Sequence, residues 1–88
     1  MSLYEERMAV LSTGHLPHHE AQLVEQLLKE GDLTGMTRDE GWLLYVRRCS
    51  DRLPILTFIL GFAAGQGCTW VLFDCDAEPS DEFELHDW

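Results

Sequence analysis

Two carboxylates flank a thiol at Asp74-Cys75-Asp76, directly after the apolar run Thr69–Phe73. Carboxylates spaced by one residue at a strand end can hold a hard divalent cation, or act as nucleophile and acid. The plainer role of such residues is to cap a turn. A second constellation is Ser12-Thr13-Gly14-His15-Leu16-Pro17-His18-His19. A glycine-containing loop that opens a helix turns backbone N–H groups toward an anion. His15 has the chemistry of an acid, a base or a metal ligand near neutral pH. His18 and His19 are neighbours, so on a helix they point about 100° apart and cannot readily chelate together. His15 and His19 share a face only if the helix starts before Pro17. The bland alternative for all three histidines is a polar helix start at the surface. If His15, Asp74 and Asp76 gather at one sheet edge, they form the candidate site of a small metal- or anion-binding enzyme domain.

Other chemistry is poorly supported. No Ser-His-Asp or Cys-His spacing forms a triad, and the two aspartates beside Cys75 disfavour its thiolate. Asp74-Cys75-Asp76 resembles the Asp-x-Asp of haloacid-dehalogenase-type phosphatases over three residues only. That family needs a downstream lysine, and the single lysine here, Lys29, lies upstream. Cys49, Cys68 and Cys75 are odd in number and lack CxxC spacing, so reduced thiols are expected and a zinc site is not. No cofactor and no metal are expected. Arg47, Arg48 and Arg52 form the basic cluster, suited to a phosphate or carboxylate. The expected partners are the acids of the C-terminal segment.

That segment dominates the electrostatics. The 88 residues carry a formal charge of −10. Residues 74–88 contribute −7 of it through Asp74, Asp76, Glu78, Asp81, Glu82, Glu84 and Asp87, with no Lys or Arg. Such a balance opposes direct binding to nucleic acid and to anionic membranes. It suits either a solvated tail or a contact surface for a basic partner. Phe83, Leu85 and Trp88 are interleaved with the acids. A purely solvating tail does not need them, so part of the segment is expected to fold back on the domain. Glu78, Asp81, Glu82, Glu84 and Asp87, with Phe83 and Trp88 as anchors, form the candidate binding surface.

The elements that must position these groups follow from periodicity. Met8–Thr13 and Thr69–Phe73 have the character of buried strands, and Trp42–Arg48 that of a central strand covered on both faces. Ala21, Val24, Leu27 and Leu28 recur at helical spacing, which predicts a helix over 17–30 ended by Gly31. A second helix is expected over Leu53–Gly65, capped by Ser50 or Asp51. It is apolar almost all round. Leu56, Ile59, Leu60 and Ala63 are expected to face a sheet, leaving Ile55, Phe58 and Phe62 as a flank for a homodimer. Gly31–Gly41, with three glycines, predicts a loop.

The expected architecture is one α/β (or α+β) domain over residues 1–88. Its order is β-α-β-α-β, a three-stranded sheet with two helices and an acidic C-terminal tail. Right-handed crossovers would make neighbouring strands parallel. His15, Arg47-Arg48 and Asp74-Asp76 would then leave the sheet at the same end. The start of the chain has no signal-peptide pattern, and the longest apolar run, Ile55–Ala64, is too short to span a bilayer, so a cytoplasmic location is expected.

Ser12–Pro17, Gly41–Val46, Gly67–Asp76 and the closing His86-Asp87-Trp88 together resemble a domain family of unknown function. Its members are small proteins carried on plasmids, integrative elements and phages. The resemblance covers most of the chain in order, and departs from the pattern at Ala77, where a glycine commonly follows the second aspartate. It implies a mobile genetic element as the setting. It also implies a small acidic interaction protein that inhibits a host defence, of the anti-restriction or anti-CRISPR kind. Such a protein would act by binding a basic surface, for example that of a nucleic-acid-binding protein.

Overall fold

The computed structural model describes residues 3–48 and 50–86. Strand β1, Met8–Ser12, is followed by a 3-10 turn at Thr13–His15 and helix α1, His18–Glu30. Strands β2, Gly35–Arg38, and β3, Gly41–Tyr45, form a hairpin. Helix α2, Pro54–Gly65, and strand β4, Trp70–Asp74, complete the elements. The sheet order is β1-β4-β3-β2. Strand β4 runs parallel to β1 and antiparallel to β3. The fold is therefore a small compact α/β domain with two helices on a four-stranded mixed sheet.

The extra strand comes from the segment read as a loop. Gly35 and Gly41, two of its glycines, have φ of 154° and lie in strands. A Cβ on Gly41 would fall on the Phe73 carbonyl oxygen of the neighbouring strand, so only glycine allows β3 and β4 to approach there. Thr37-Arg38-Asp39-Glu40 is accordingly the end of β2 and its turn into β3.

The strand directions also differ from the all-parallel expectation. Because β3 is antiparallel to β4, Arg47 and Arg48 leave the sheet at the end opposite Ser12 and Asp74. Arg48 donates to the Gly31 carbonyl from Nε at 3.2 Å and Nη2 at 2.8 Å, where the open carbonyls of α1 attract a cation. Arg52 pairs with Glu30 at 3.6 Å. Among the described residues, none of these arginines is ion-paired to an acid of the C-terminal segment.

Side chains alternate across the sheet, and both helices bury against one face. Leu11, Leu44, Val71 and Phe73 on that face join Val24 and Leu27 of α1 in one core. Helix α2 adds Leu56, Ile59, Leu60 and Ala63, as its apolar stripe predicts. Its other flank stays partly open, with Ile55, Phe58 and Phe62 exposed by 39%, 64% and 36%.

Neither Ser50 nor Asp51 caps α2. The cap comes from α1. Glu20 is fully buried, and its carboxylate oxygens accept from the Ile55 amide at 3.0 Å and the Leu56 amide at 2.9 Å. A carboxylate at a helix N-terminus satisfies free amides and meets the positive end of the helix dipole. This contact locks the two helices together across 35 residues of chain.

Candidate functional site: the strapped acidic segment

Residues 75–86 return along the domain and dock on the turn that follows β1. The pin is His15, only 1% exposed. The Ser80 amide donates to its Nε2 at 2.9 Å, and its Nδ1 lies 3.0 Å from the Glu84 carbonyl oxygen. An amide can only donate, so Nε2 accepts and the ring proton sits on Nδ1, donating to Glu84. Two residues further along, the His86 amide donates to the Gly14 carbonyl at 2.7 Å. A side chain at Gly14 would press on Leu85, with Cβ 2.8 Å from its Cδ1.

Phe83 supplies the apolar half of the attachment. Its ring lies edge-on to His15 at 5.7 Å, to Phe62 at 5.2 Å and to Phe58 at 6.3 Å between centroids. Edge-to-face aromatic pairs of this kind add about 0.5–1.5 kcal/mol beyond the area they bury. Phe83 is thus half-buried against its own domain. The backbone between these pins is regular at its bends: the Ser80 hydroxyl accepts from the Glu82 amide at 3.1 Å. Glu78, Asp81, Glu82 and Glu84 point to solvent. Among the described residues, no lysine or arginine is ion-paired to them. Asp87 and Trp88 lie outside the described residues.

The second candidate group does not assemble around His15. Asp74 Oδ1 accepts from the Asp76 amide at 2.8 Å, closing an Asx turn, and the Ala77 amide donates to the Asp74 carbonyl at 3.1 Å. Asp74, Cys75 and Asp76 each offer a ligand atom within 4.8 Å of the others. Both nitrogens of His15 are instead engaged by the strap. The ring lines a small cavity with Ile55, Phe58, Ile59 and Phe83. His15 is therefore a buried fastener and not a surface residue, while His18 and His19 are exposed at the start of α1.

An open cleft of about 500 Å³ lies over the same sheet end, between the Ser12–Gly14 turn and the Arg38–Trp42 hairpin. Neither His15 nor Asp74 nor Asp76 lines it. Cys75 does, and partial desolvation together with the Asp76, Asp74 and Glu40 carboxylates pushes its thiol above the ordinary range. The thiol is held protonated and is a weak nucleophile. Cys68 and Cys75 are both free thiols.

Residues 8–88, from the first residue of β1 to the last of the chain, match the model of a family of unknown function (DUF5983), C-terminal domain. The chain belongs to this family. The matched span takes in the four strands, the two helices and the strap. Comparison with curated proteins gave no match, and comparison with solved structures gave none. Among the described residues, no helix is long and apolar enough to cross a membrane.

Sequence reasoning missed two structural partnerships in this family domain. Glu20 looked like one more polar residue of an amphipathic helix, and its partner amides lie 35 and 36 residues away. The part of His15 in fastening the segment was signalled only by the apolar residues among the acids.

Proposed function

We propose that this domain is a small acidic binding module that presents the carboxylates of its strap to a basic protein surface. The observation that supports this reading most directly is the fixed strap with uncompensated charge. Glu78, Asp81, Glu82 and Glu84 are exposed and lack a basic partner among the described residues, yet the backbone that carries them is pinned at Ser80, Phe83, Glu84 and His86. Pinning matters because a preordered charge array costs little conformational entropy on binding. Carboxylates arrayed in this way attract the same cationic groups that bind phosphates. The resemblance to proteins of mobile elements extends the proposal to inhibition of a host-defence protein through its basic, nucleic-acid-binding surface. The test is capture from a bacterial lysate by the wild-type chain and by Glu82→Lys/Glu84→Lys in parallel. A basic protein retained by the first and absent from the second is expected. Equal recovery on both contradicts the proposal.

A further inference from the structure

The helices cover one face of the sheet, and the other face has an ordered pattern of its own. Strand register sets three rows across it. Val10, Leu72, Leu43 and Met36 form the middle row, and Met8, Trp70 and Tyr45 the row beside it. The third row is Ser12, Asp74, Gly41 and Arg38. Two rows are thus wholly apolar, and the third carries one acid and one base. None of the apolar seven belongs to the core or packs against it. Met8, Val10 and Met36 are exposed by 48%, 50% and 54%, and Leu43, Tyr45, Trp70 and Leu72 are half-buried. The Tyr45 and Trp70 rings meet across β3 and β4 at 5.2 Å between centroids, tilted by 54°.

An apolar sheet face of this extent is a contact surface. Its charge says what it contacts. The chain carries −10, but the charged residues of these three rows are Asp74 and Arg38, which cancel. A basic partner of the kind the strap suits meets no surplus carboxylate here, and an anionic bilayer is repelled by the molecule as a whole. A second copy of the chain meets a neutral, apolar match. We infer that the open sheet face is an isologous interface on which two copies stack sheet to sheet. A twofold axis along the strands lays β1 over β2 of the second copy and β4 over its β3. Apolar rows then meet apolar rows, and Asp74 stands one strand away from Arg38 of the second copy. A twofold axis across the strands would set the polar row on an apolar one and bury both charges unpaired. Packed sheets separated by about 10 Å would bury the seven side chains as the core of a sandwich. The two apolar rows contain no residue of the strap and none of the exposed flank of α2.

Sedimentation velocity of the full chain over a concentration series tests the inference. The wild type is expected to pass from monomer to dimer as concentration rises. Val10→Lys and Met36→Lys, both at exposed positions, are expected to stay monomeric throughout with an unchanged circular dichroism spectrum. Phe58→Lys, on the α2 flank, and Glu82→Lys/Glu84→Lys, on the strap, are expected to dimerise like the wild type. Arg38→Glu is expected to raise the dissociation constant several-fold at low salt. A wild type that is monomeric at every concentration overturns the inference. So does a dimer abolished by Phe58→Lys and untouched by Val10→Lys. An Arg38→Glu chain that dimerises unchanged contradicts the twofold along the strands.

Discussion

The Ser80 amide donates to Nε2 of His15 at 2.9 Å, and this bond fixes both the tautomer of a buried ring and the path of the acidic segment. With Nε2 occupied, Nδ1 is left to hold the Glu84 carbonyl. The two nitrogens thus grip the strap at points four residues apart, with Phe83 seated between them. A residue with the chemistry of a catalyst serves here as a fastener.

Replacing that fastener should loosen the strap without unfolding the sheet. His15→Ala removes an acceptor and a donor from part-buried backbone groups of the strap, a loss of about 0.5–1.5 kcal/mol for each hydrogen bond. Amide exchange at Ser80 and His86 is expected to accelerate strongly, while amides of β3 and β4 keep their protection. His15→Gln, which can still offer one donor and one acceptor, is expected to fall between. Hydrogen exchange followed residue by residue by NMR checks both.

Glu20 should matter more for global stability than any other acid of the chain. Glu20→Ala leaves the Leu56 amide open in the core and the part-buried Ile55 amide without its acceptor, and removes a charge-assisted cap, at a cost of about 2–4 kcal/mol. For a domain of this size the melting temperature is expected to fall by about 10 °C or more. Glu20→Gln keeps one acceptor oxygen and is expected to lose roughly half as much. Thermal and urea unfolding of the two variants measure the difference.

Cys75 gives a pH-dependent readout of the acidic sheet end. Its thiol is pushed up by desolvation and by Asp76, Asp74 and Glu40, so the thiolate fraction at neutral pH is small. Alkylation of Cys75 is expected to be slow at pH 7 and to keep rising through and beyond the ordinary thiol range near about 8.5. Asp76→Asn removes one repelling carboxylate, shifts the reactivity curve to lower pH and speeds modification at pH 8. Mass spectrometry of the labelled peptide against pH follows both curves.

How far the sequence carried depended on how local each signal was. The inward stripe of α2, Leu56-Ile59-Leu60-Ala63, and the end of α1 at Gly31 depend on neighbours within one or two turns, and both were legible. Strand β2 was not, because Gly35 and Gly41 have the composition of a loop. Their real reason is steric: the backbone of an adjacent strand passes where a Cβ would be. The direction of Arg47-Arg48 was missed for a similar reason. Whether the strand after α2 inserts parallel or antiparallel depends on which neighbour it joins, and β4 joins both β1 and β3. At the candidate site, the signal in the sequence was the apolar residues among the carboxylates, of which Phe83 is half-buried and Leu85 is exposed. The residue the segment folds onto could not be read, since His15 and Ser80 are 65 positions apart.

If the strap carboxylates engage a basic surface, they govern the association rate of the captured partner. Steered association weakens as the screening length shrinks from about 10 Å at 0.1 M salt to about 3 Å at 1 M. Stopped-flow measurement with the wild-type chain should show an on-rate that falls at least tenfold between those conditions. Glu82→Lys/Glu84→Lys should reproduce that fall at low salt with the fold intact, since exposed charges contribute little to stability. An on-rate indifferent to both salt and the double reversal would contradict the account, and the strap would then be a structural element that happens to be acidic.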